Sequence, residues 1–240
     1  MKRRALVTGG SGGIGAAICK RLAREGHFVY VHANRGLEAA SAVVAEITAA
    51  GGKAQTVSFD VTKIDATHSA LETVLNDGPI QILVNNAGIH ADAVFPGMSA
   101  DQWHSVINTS VDGFFNVTQP LMMPMIRTRW GRIVNLSSIS AITGNRGQVN
   151  YAAAKGALNA ATKSLALEVA SRGVTVNAVA PGIITTPMSE NTFDDETIAR
   201  MVPMKRAGLP EEVAGLVAYL TSEEAGYVTA QVLSINGGMI

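Results

Sequence analysis

The chain has 240 residues, 47% of them hydrophobic, with 19 basic and 19 acidic side chains and no formal net charge. That length suits a single α/β domain spanning 1–240 that buries about three quarters of its unfolded surface, and the neutral balance argues against nucleic acid or a membrane surface as partner. The single Cys19 excludes an internal disulfide and suits a reducing, cytoplasmic compartment, while His27, His32, His68, His90 and His104 follow no metal-ligand spacing, so no metal is expected. No apolar run approaches the ~20 residues of a membrane span. Lys2, Arg3 and Arg4 lead into a short strand, not into the apolar core of a signal peptide.

In chain order, Ala5–Thr8 reads as an apolar strand that runs into Gly9, Gly13 and Gly15 and then a helix with Ile14, Ile18 and Leu22 on one face. Gly9 permits the sharp turn, Gly13 lets the backbone approach a pyrophosphate, and Gly15 lets helix and strand pack closely. The free amides of the helix start offer an anion site, so this segment predicts dinucleotide binding. A second strand, Phe28–His32, ends without an acidic residue and offers Asn34 and Arg35 instead. An acid there would bond a ribose 2'-hydroxyl and repel a phosphate; a guanidinium accommodates the phosphate, which points to NADP(H).

Helix Glu38–Ala50, strand Ala54–Ser58, helix Thr67–Asn76, strand Ile80–Val84 and helix Asp101–Val117 follow, then strand Gly131–Leu136, helix Ala152–Ser171, strand Thr175–Ala180, helix Glu211–Thr221 and strand Val232–Ile235. The strands are continuous apolar runs, as expected of a parallel sheet covered by helices on both faces. Gly182 to Leu209 has weak periodicity and is rich in Thr, Met, Pro and acidic residues, which predicts a lid over a site.

Tyr151 and Lys155 lie four apart, about one helical turn, so phenol and ammonium project from one face. A phenol has a reference pKa of about 10, and a cation held beside it is expected to lower that value and let Tyr151 exchange a proton with a carbonyl or alcohol oxygen. Ser138, at the end of an apolar strand, can donate a hydrogen bond to the same oxygen.

Taken together, TGGSGGIG at Thr8 to Gly15, DVT at Asp60 to Thr62, NNAG at Asn85 to Gly88, the Ser138, Tyr151 and Lys155 trio, and PGIITT at Pro181 to Thr186 resemble the short-chain dehydrogenase/reductase family, and within it the 3-oxoacyl-[acyl carrier protein] reductases. The resemblance covers essentially the whole chain. It implies a Rossmann-type doubly wound fold with a seven-stranded parallel sheet. It further implies that Gly9, Ser11, Gly13, Ile14 and Gly15 lie against the cofactor, that Asp60 with Val61 meets the adenine, that Asn86, Ala87 and Gly88 line the ribose, that Lys155 with Tyr151 reaches the nicotinamide ribose, and that Pro181, Gly182, Ile184 and Thr186 hold the carboxamide.

In that family's pattern a 3-oxoacyl thioester places its ketone between Ser138 and Tyr151 with Gln148 beside it, and Arg129 and Arg172 match positions that relatives use to dock an acyl carrier protein. A homotetramer is implied as well, with Ala154, Ala157, Ala161 and Ser164 forming a close-approach surface and the C-terminal residues buried at a second interface. The chain departs from the family in having Gly12 where many relatives carry a phosphate-binding Arg, and Ser110, not Asn108, where the family has a fourth catalytic Asn. These departures point toward pathway reductases of polyketide or aryl polyene assembly as well as fatty acid synthesis. A dehydrogenase of free small alcohols or ketones and a non-catalytic dinucleotide-binding module are the alternative readings.

Overall fold

The computed structural model describes residues 2–186 and 194–240. In chain order the elements are β1 (Arg4–Val7), α1 (Gly13–Arg24), β2 (Phe28–Ala33), α2 (Leu37–Ala49), β3 (Lys53–Ser58), α3 (Ile64–Asn76), β4 (Ile82–Asn85), α4 (Ala100–Ile107), α5 (Gly113–Thr128), β5 (Gly131–Leu136), α6 (Ser140–Thr143), α7 (Val149–Val169), β6 (Val174–Pro181), α8 (Asp195–Met201), α9 (Pro210–Leu220) and β7 (Val232–Ile235). The seven strands are all parallel in the order β3-β2-β1-β4-β5-β6-β7. The order reverses between β1 and β4, and a doubly wound sheet binds its ligands outside the carboxyl ends of the strands at such a switch point.

Alternate strand residues face opposite sides of a sheet, and both sides are apolar here. Ala5, Val7, Val29, Val31, Ile82 and Val84 meet Ile18 and Leu22 of α1, Val43 of α2 and Val213 and Val217 of α9. Leu6, Tyr30, Leu83, Ile133 and Val176 meet Leu71 of α3, Leu121 and Met125 of α5 and Ala166 of α7. This two-sided burial explains the continuous apolar runs of the central strands. The edge strand β3 is different: in KAQTVS no residue is fully buried, and Lys53, Gln55 and Ser58 are exposed.

The expected helix Asp101–Val117 is two helices joined by a π-helical turn, Asn108–Asp112, and the second runs on to Thr128 through Pro120 and Pro124. The stretch of weak periodicity holds a short helix, α8, capped by the Asp194 carboxylate on the Thr197 amide at 2.8 Å, and residues 187–193 of that expected lid lie outside the described residues. Among the described residues no helix is long and apolar enough to cross a membrane.

Candidate active site

The glycine turn is built on backbone demands. Gly9 and Gly13 adopt left-handed φ values of +61° and +52°, and a Cβ on Gly15 would stand 2.1 Å from the Gly9 carbonyl oxygen. At the start of α1, Gly12 offers no side-chain cap, so the first amides of the helix are left for an anion. The turn is held from below by a residue that sequence reasoning passed over. His32 is 2% exposed; its Nδ1 accepts from the Gly9 amide at 3.0 Å, which leaves Nε2 to donate to the Phe59 carbonyl at 2.9 Å. Burial holds the His32 pKa down to about 4, so the ring stays neutral in this double role.

The end of β4 is tied to the same turn. Thr8 Oγ1 accepts from the amides of Asn86 and Ala87, both at 3.0 Å, and the Asn86 side-chain amide donates to the carbonyls of Thr8 (3.0 Å) and Gly9 (2.9 Å). Behind them Asn85 donates to Thr118 Oγ1 (3.0 Å) and to Asn135 Oδ1 (2.9 Å), and Asn135 donates to Thr162 Oγ1 (2.8 Å), a buried chain across β4, β5, α5 and α7.

Around the expected adenine and ribose positions, Asp60 Oδ1 accepts from the Thr62 amide (2.9 Å) and hydroxyl (2.8 Å), so this carboxylate also shapes the entry to α3. Burial pushes its pKa up, but the Thr62 hydrogen bonds with the charges of Lys63 and Arg35 outweigh it and hold the carboxyl below its ordinary value. The Val61 carbonyl accepts from Asn116 at 2.9 Å. Asn34 and Arg35 are exposed at the end of β2, and a Cβ on Gly36 would lie 3.8 Å from Ser11 Oγ, so the β2 end and the glycine turn border one space. A Cβ on Gly12 would meet nothing within 4 Å.

Ser138 follows β5, Tyr151 and Lys155 sit in the first turns of α7, and Pro181 closes β6. The helix is fixed by Asn150, fully buried, which donates to the carbonyls of Ala91 (2.9 Å) and Gln102 (3.0 Å) and accepts from the Tyr151 amide (2.8 Å). Lys155, 3% exposed, donates to the Leu136 carbonyl at 2.7 Å, and its Nζ lies 5.6 Å from the centroid of the Tyr151 ring. The expected lowering of the phenol does not follow from this geometry. Burial pushes Tyr151 up to about 12 against the opposing hydrogen bond with Ser138, with the Asp92 charge adding to the rise. The lysine moves the other way, lowered by burial from 10.5 to about 8.

Opposite the trio, Gly182 donates its amide to the Ile235 carbonyl at 2.9 Å, Ile184 bridges to Gly208, and Thr186 reaches the glycine turn, with its Cγ2 3.4 Å from where a Gly13 Cβ would be. The structure therefore gathers the glycine turn, the β4 end, the trio and the PGIITT segment at one end of the sheet. Arg129 and Arg172 do not join them. They precede β5 and β6, whereas Ser138 and Pro181 stand at the far ends of those strands, about 20 Å away along a six-residue strand. Arg129 adopts a left-handed φ of 50° and donates to the Ser171 carbonyl at 3.2 Å. Gln148, expected against substrate, is 9% exposed with its amide spent inside the protein: Oε1 accepts from Ser140 Oγ (3.1 Å) and Asn145 Nδ2 (2.9 Å), and Nε2 donates to Asp92 Oδ2 (2.9 Å).

Ser110 lies in the π-helical turn, 3% exposed, with a hydroxyl that has no hydrogen-bond partner. It borders a cavity of about 10 Å³, lined also by Thr8, Asn85, Ala87 and Leu158. Asn108, by contrast, points its side chain along the helix at the His104 carbonyl and the Asp112 carboxylate, two acceptors that assign its amide nitrogen to that side, at 3.1 and 3.2 Å.

This arrangement of uncapped helix amides, glycine cradle and Ser, Tyr and Lys side chains at a sheet switch point is that of a nicotinamide-dependent oxidoreductase acting on a CH–OH group. The chain belongs to the short chain dehydrogenase family, whose model matches residues 3–197. It is 45% identical to nodulation protein G of Azospirillum brasilense over 238 residues, covering 98% of this chain and 97% of that protein. It is 44% identical to a 3-oxoacyl-[acyl-carrier-protein] reductase of Aggregatibacter actinomycetemcomitans over the whole of both chains, and 42% identical to an acetoacetyl-CoA reductase of Cupriavidus necator over 99% of this chain and 98% of that one.

Proposed function

We propose that this protein reduces 3-oxoacyl thioesters borne on acyl carrier protein to 3-hydroxyacyl thioesters with NADPH, in fatty acid synthesis or a related polyketide or aryl polyene pathway, as a cytoplasmic homotetramer. The observation that carries the reading is the convergence of Ser138, Tyr151 and Lys155 beside the glycine cradle in a chain that matches a 3-oxoacyl-[acyl-carrier-protein] reductase from end to end.

The residues present fit a dinucleotide. The Gly9–Gly15 turn has no room for side chains at its closest approach and leaves helix amides for a pyrophosphate. Asp60, Val61 and Asn86 to Gly88 would border the adenosine, Arg35 with Asn34 the 2'-phosphate, and Lys155 with the Pro181 to Thr186 segment the nicotinamide end. The bound cofactor supplies the hydride. Ser138 holds the ketone oxygen and Tyr151 protonates it as it becomes an alkoxide. A phenol held up at about 12 is fully protonated at neutral pH and still surrenders its proton to an alkoxide, a far stronger base than phenolate. Lys155, near 8, is mostly charged at pH 7 and can return a proton close to neutrality.

The tetramer draws support from α7, where Ala157 and Ser164 are exposed, Ala161 is half-buried and Leu167 is 81% exposed beside them, while Ala154 is spent on the chain's own core. It would also bring the Arg129 and Arg172 of one copy toward another. A second reading, reduction of a free thioester, draws on the acetoacetyl-CoA reductase match and on those arginines standing at the far end of the sheet.

The test is NADPH oxidation with acetoacetyl thioesters on carrier protein and on coenzyme A, for wild type and Tyr151→Phe. Loss of about 10² to 10⁴ in kcat for the variant, with NADPH binding intact and a higher kcat/KM for the carrier thioester, is expected. A Phe variant with a tenth of wild-type activity sinks the catalytic assignment; equal kcat/KM for both thioesters sinks the carrier protein.

A further inference from the structure

Beyond β4 the chain continues through Gly88, Ile89, His90, Ala91 and Asp92 and runs against the start of α7: a Cβ on Gly88 would lie 3.2 Å from Lys155 Nζ, and the Ala91 carbonyl accepts from Asn150 at 2.9 Å. His90 lays its imidazole on the phenol of Tyr151, with ring centroids 4.5 Å apart and planes inclined by 23°, a stacked contact of the kind worth more than its buried area. Gln148 steadies that imidazole from the side, its Nε2 3.4 Å from His90 Nδ1 and 2.9 Å from Asp92 Oδ2. The other end of the same amide accepts from Ser140 Oγ at 3.1 Å, and the Ser140 backbone amide donates to Ser138 Oγ at 3.1 Å. One continuous path therefore runs from the Ser138 hydroxyl through Ser140 and Gln148 to the ring stacked on Tyr151.

We propose that His90 is a positioning residue for Tyr151, and that it holds the phenol in its working place only while its imidazole is neutral. The inference rests on Tyr151 being the proton donor of the reduction proposed above. Neutral, with Nδ1 as acceptor, the ring takes the Gln148 amide hydrogen. Protonated, Nδ1 becomes a donor that faces those hydrogens and turns instead to Asp92, whose Oδ1 is 4.0 Å away and whose other oxygen Gln148 already uses. Gln148 Nε2 then loses one of its two acceptors and faces a second donor in its place, and the turn of the ring toward Asp92 disturbs both the stack and the Gln148 link to Ser140.

The charged and titratable groups facing His90 are Asp92 on its own loop and Tyr151 and Lys155 on α7; Gln148, Ser140 and Asn145 are neutral. Burial lowers the His90 pKa most, Lys155 lowers it further, and Asp92 opposes them, leaving it below 6.5. The neutral form is thus the resting form at pH 7, and the change falls on the acid side.

The experiment measures kcat and KM from pH 5 to 8 with NADPH and acetoacetyl-CoA for wild type, His90→Ala, His90→Phe and Tyr151→Phe, with NADPH fluorescence titrations as a check that each protein is folded. Wild type should lose kcat as pH falls below 6.5 through one ionisation. His90→Ala should lose about tenfold in kcat, the cost of a small misplacement of a reacting group, with KM for NADPH within twofold. His90→Phe keeps a ring on Tyr151 but cannot titrate; it should recover to within about threefold of wild type and lack that acid limb. His90→Ala with wild-type kcat, or His90→Phe with an unchanged acid limb, overturns the proposal. Retained activity in Tyr151→Phe would instead overturn the underlying assignment, whatever His90 does.

Discussion

Replacing Lys155 by Met tests whether the ammonium is held in its site against its own solvation. Its pKa is displaced by burial from 10.5 to about 8, and at 1.36 kcal/mol per pKa unit that displacement opposes folding by about 3 kcal/mol at pH 7. Met removes the buried charge at similar volume, but it also deprives the Leu136 carbonyl of a donor at 2.7 Å, a loss of about 1–3 kcal/mol that does not depend on pH. The informative quantity is therefore the pH dependence of the difference between the two proteins. Because the folded value lies below the unfolded one, the unfolded chain binds more protons between about 8 and 10.5, and wild-type stability rises with pH across that window. It is lost again as pH falls through about 8. The variant has no such group, so the gap should move in favour of wild type by about 2 kcal/mol between pH 7 and pH 9.5. Urea unfolding of both proteins at fixed concentration, at four pH values in that range, reads it directly. A gap that stays constant would mean that Lys155 is not desolvated as its surroundings indicate, and would remove the basis for treating it as a proton source near neutrality.

If Arg35 holds the 2'-phosphate as proposed, Arg35→Asp should lower kcat/KM with NADPH by at least about tenfold more than with NADH, since it would remove that contact and add a repelling charge; equal losses with the two cofactors would make Arg35 an ordinary surface residue. Ser110→Ala should leave stability within about 1 kcal/mol of wild type or raise it, because the hydroxyl has no partner to lose. A larger loss in urea unfolding would show that a water in the adjoining cavity bonds to that hydroxyl.

The central sheet was legible because β1, β2, β4, β5 and β6 are covered on both sides and spell out apolar runs between glycine and proline punctuation. β7 was legible by its short apolar VLSI stretch. Limits appeared where the physics is not periodic. A π-helical turn adds a residue to one helical turn and leaves the apolar spacing of residues 101–117 nearly intact, so two helices read as one. Pro120 and Pro124 are ordinarily helix-ending residues, yet α5 continues past both. The trio, the glycine turn and the PGIITT segment were readable as motifs. The supports were not, since His32 works with Gly9 and Phe59, and His90 with Tyr151 and Gln148, across separations that no local pattern records. The direction of the Tyr151 pKa is not readable from spacing, which reveals a neighbouring cation but not the depth of burial that raises the phenol. The chain positions of Arg129 and Arg172 do not reveal that they precede β5 and β6, at the opposite ends of those strands from Ser138 and Pro181.

The buried amide chain of Asn85, Asn135 and Thr162 bears on how unique the alignment of the two central strands is. Asn85 and Asn135 are direct partners in the pairing of β4 with β5, following Leu83 with Ile133 and Val84 with Val134. The aliphatic pairs discriminate poorly between registers, since Ile, Leu and Val replace one another at modest cost. The amides do not: a slip of one residue sends one of them to the opposite face and strands buried donors and acceptors at about 1–3 kcal/mol each. Asn86 and Ser138 follow those strands by one and two positions, so a misaligned pair would carry the Asn86 turn and the Ser138 hydroxyl past one another. The polar pair inside an otherwise oily sheet thus acts as a vernier, setting where two halves of the site meet to within a single residue.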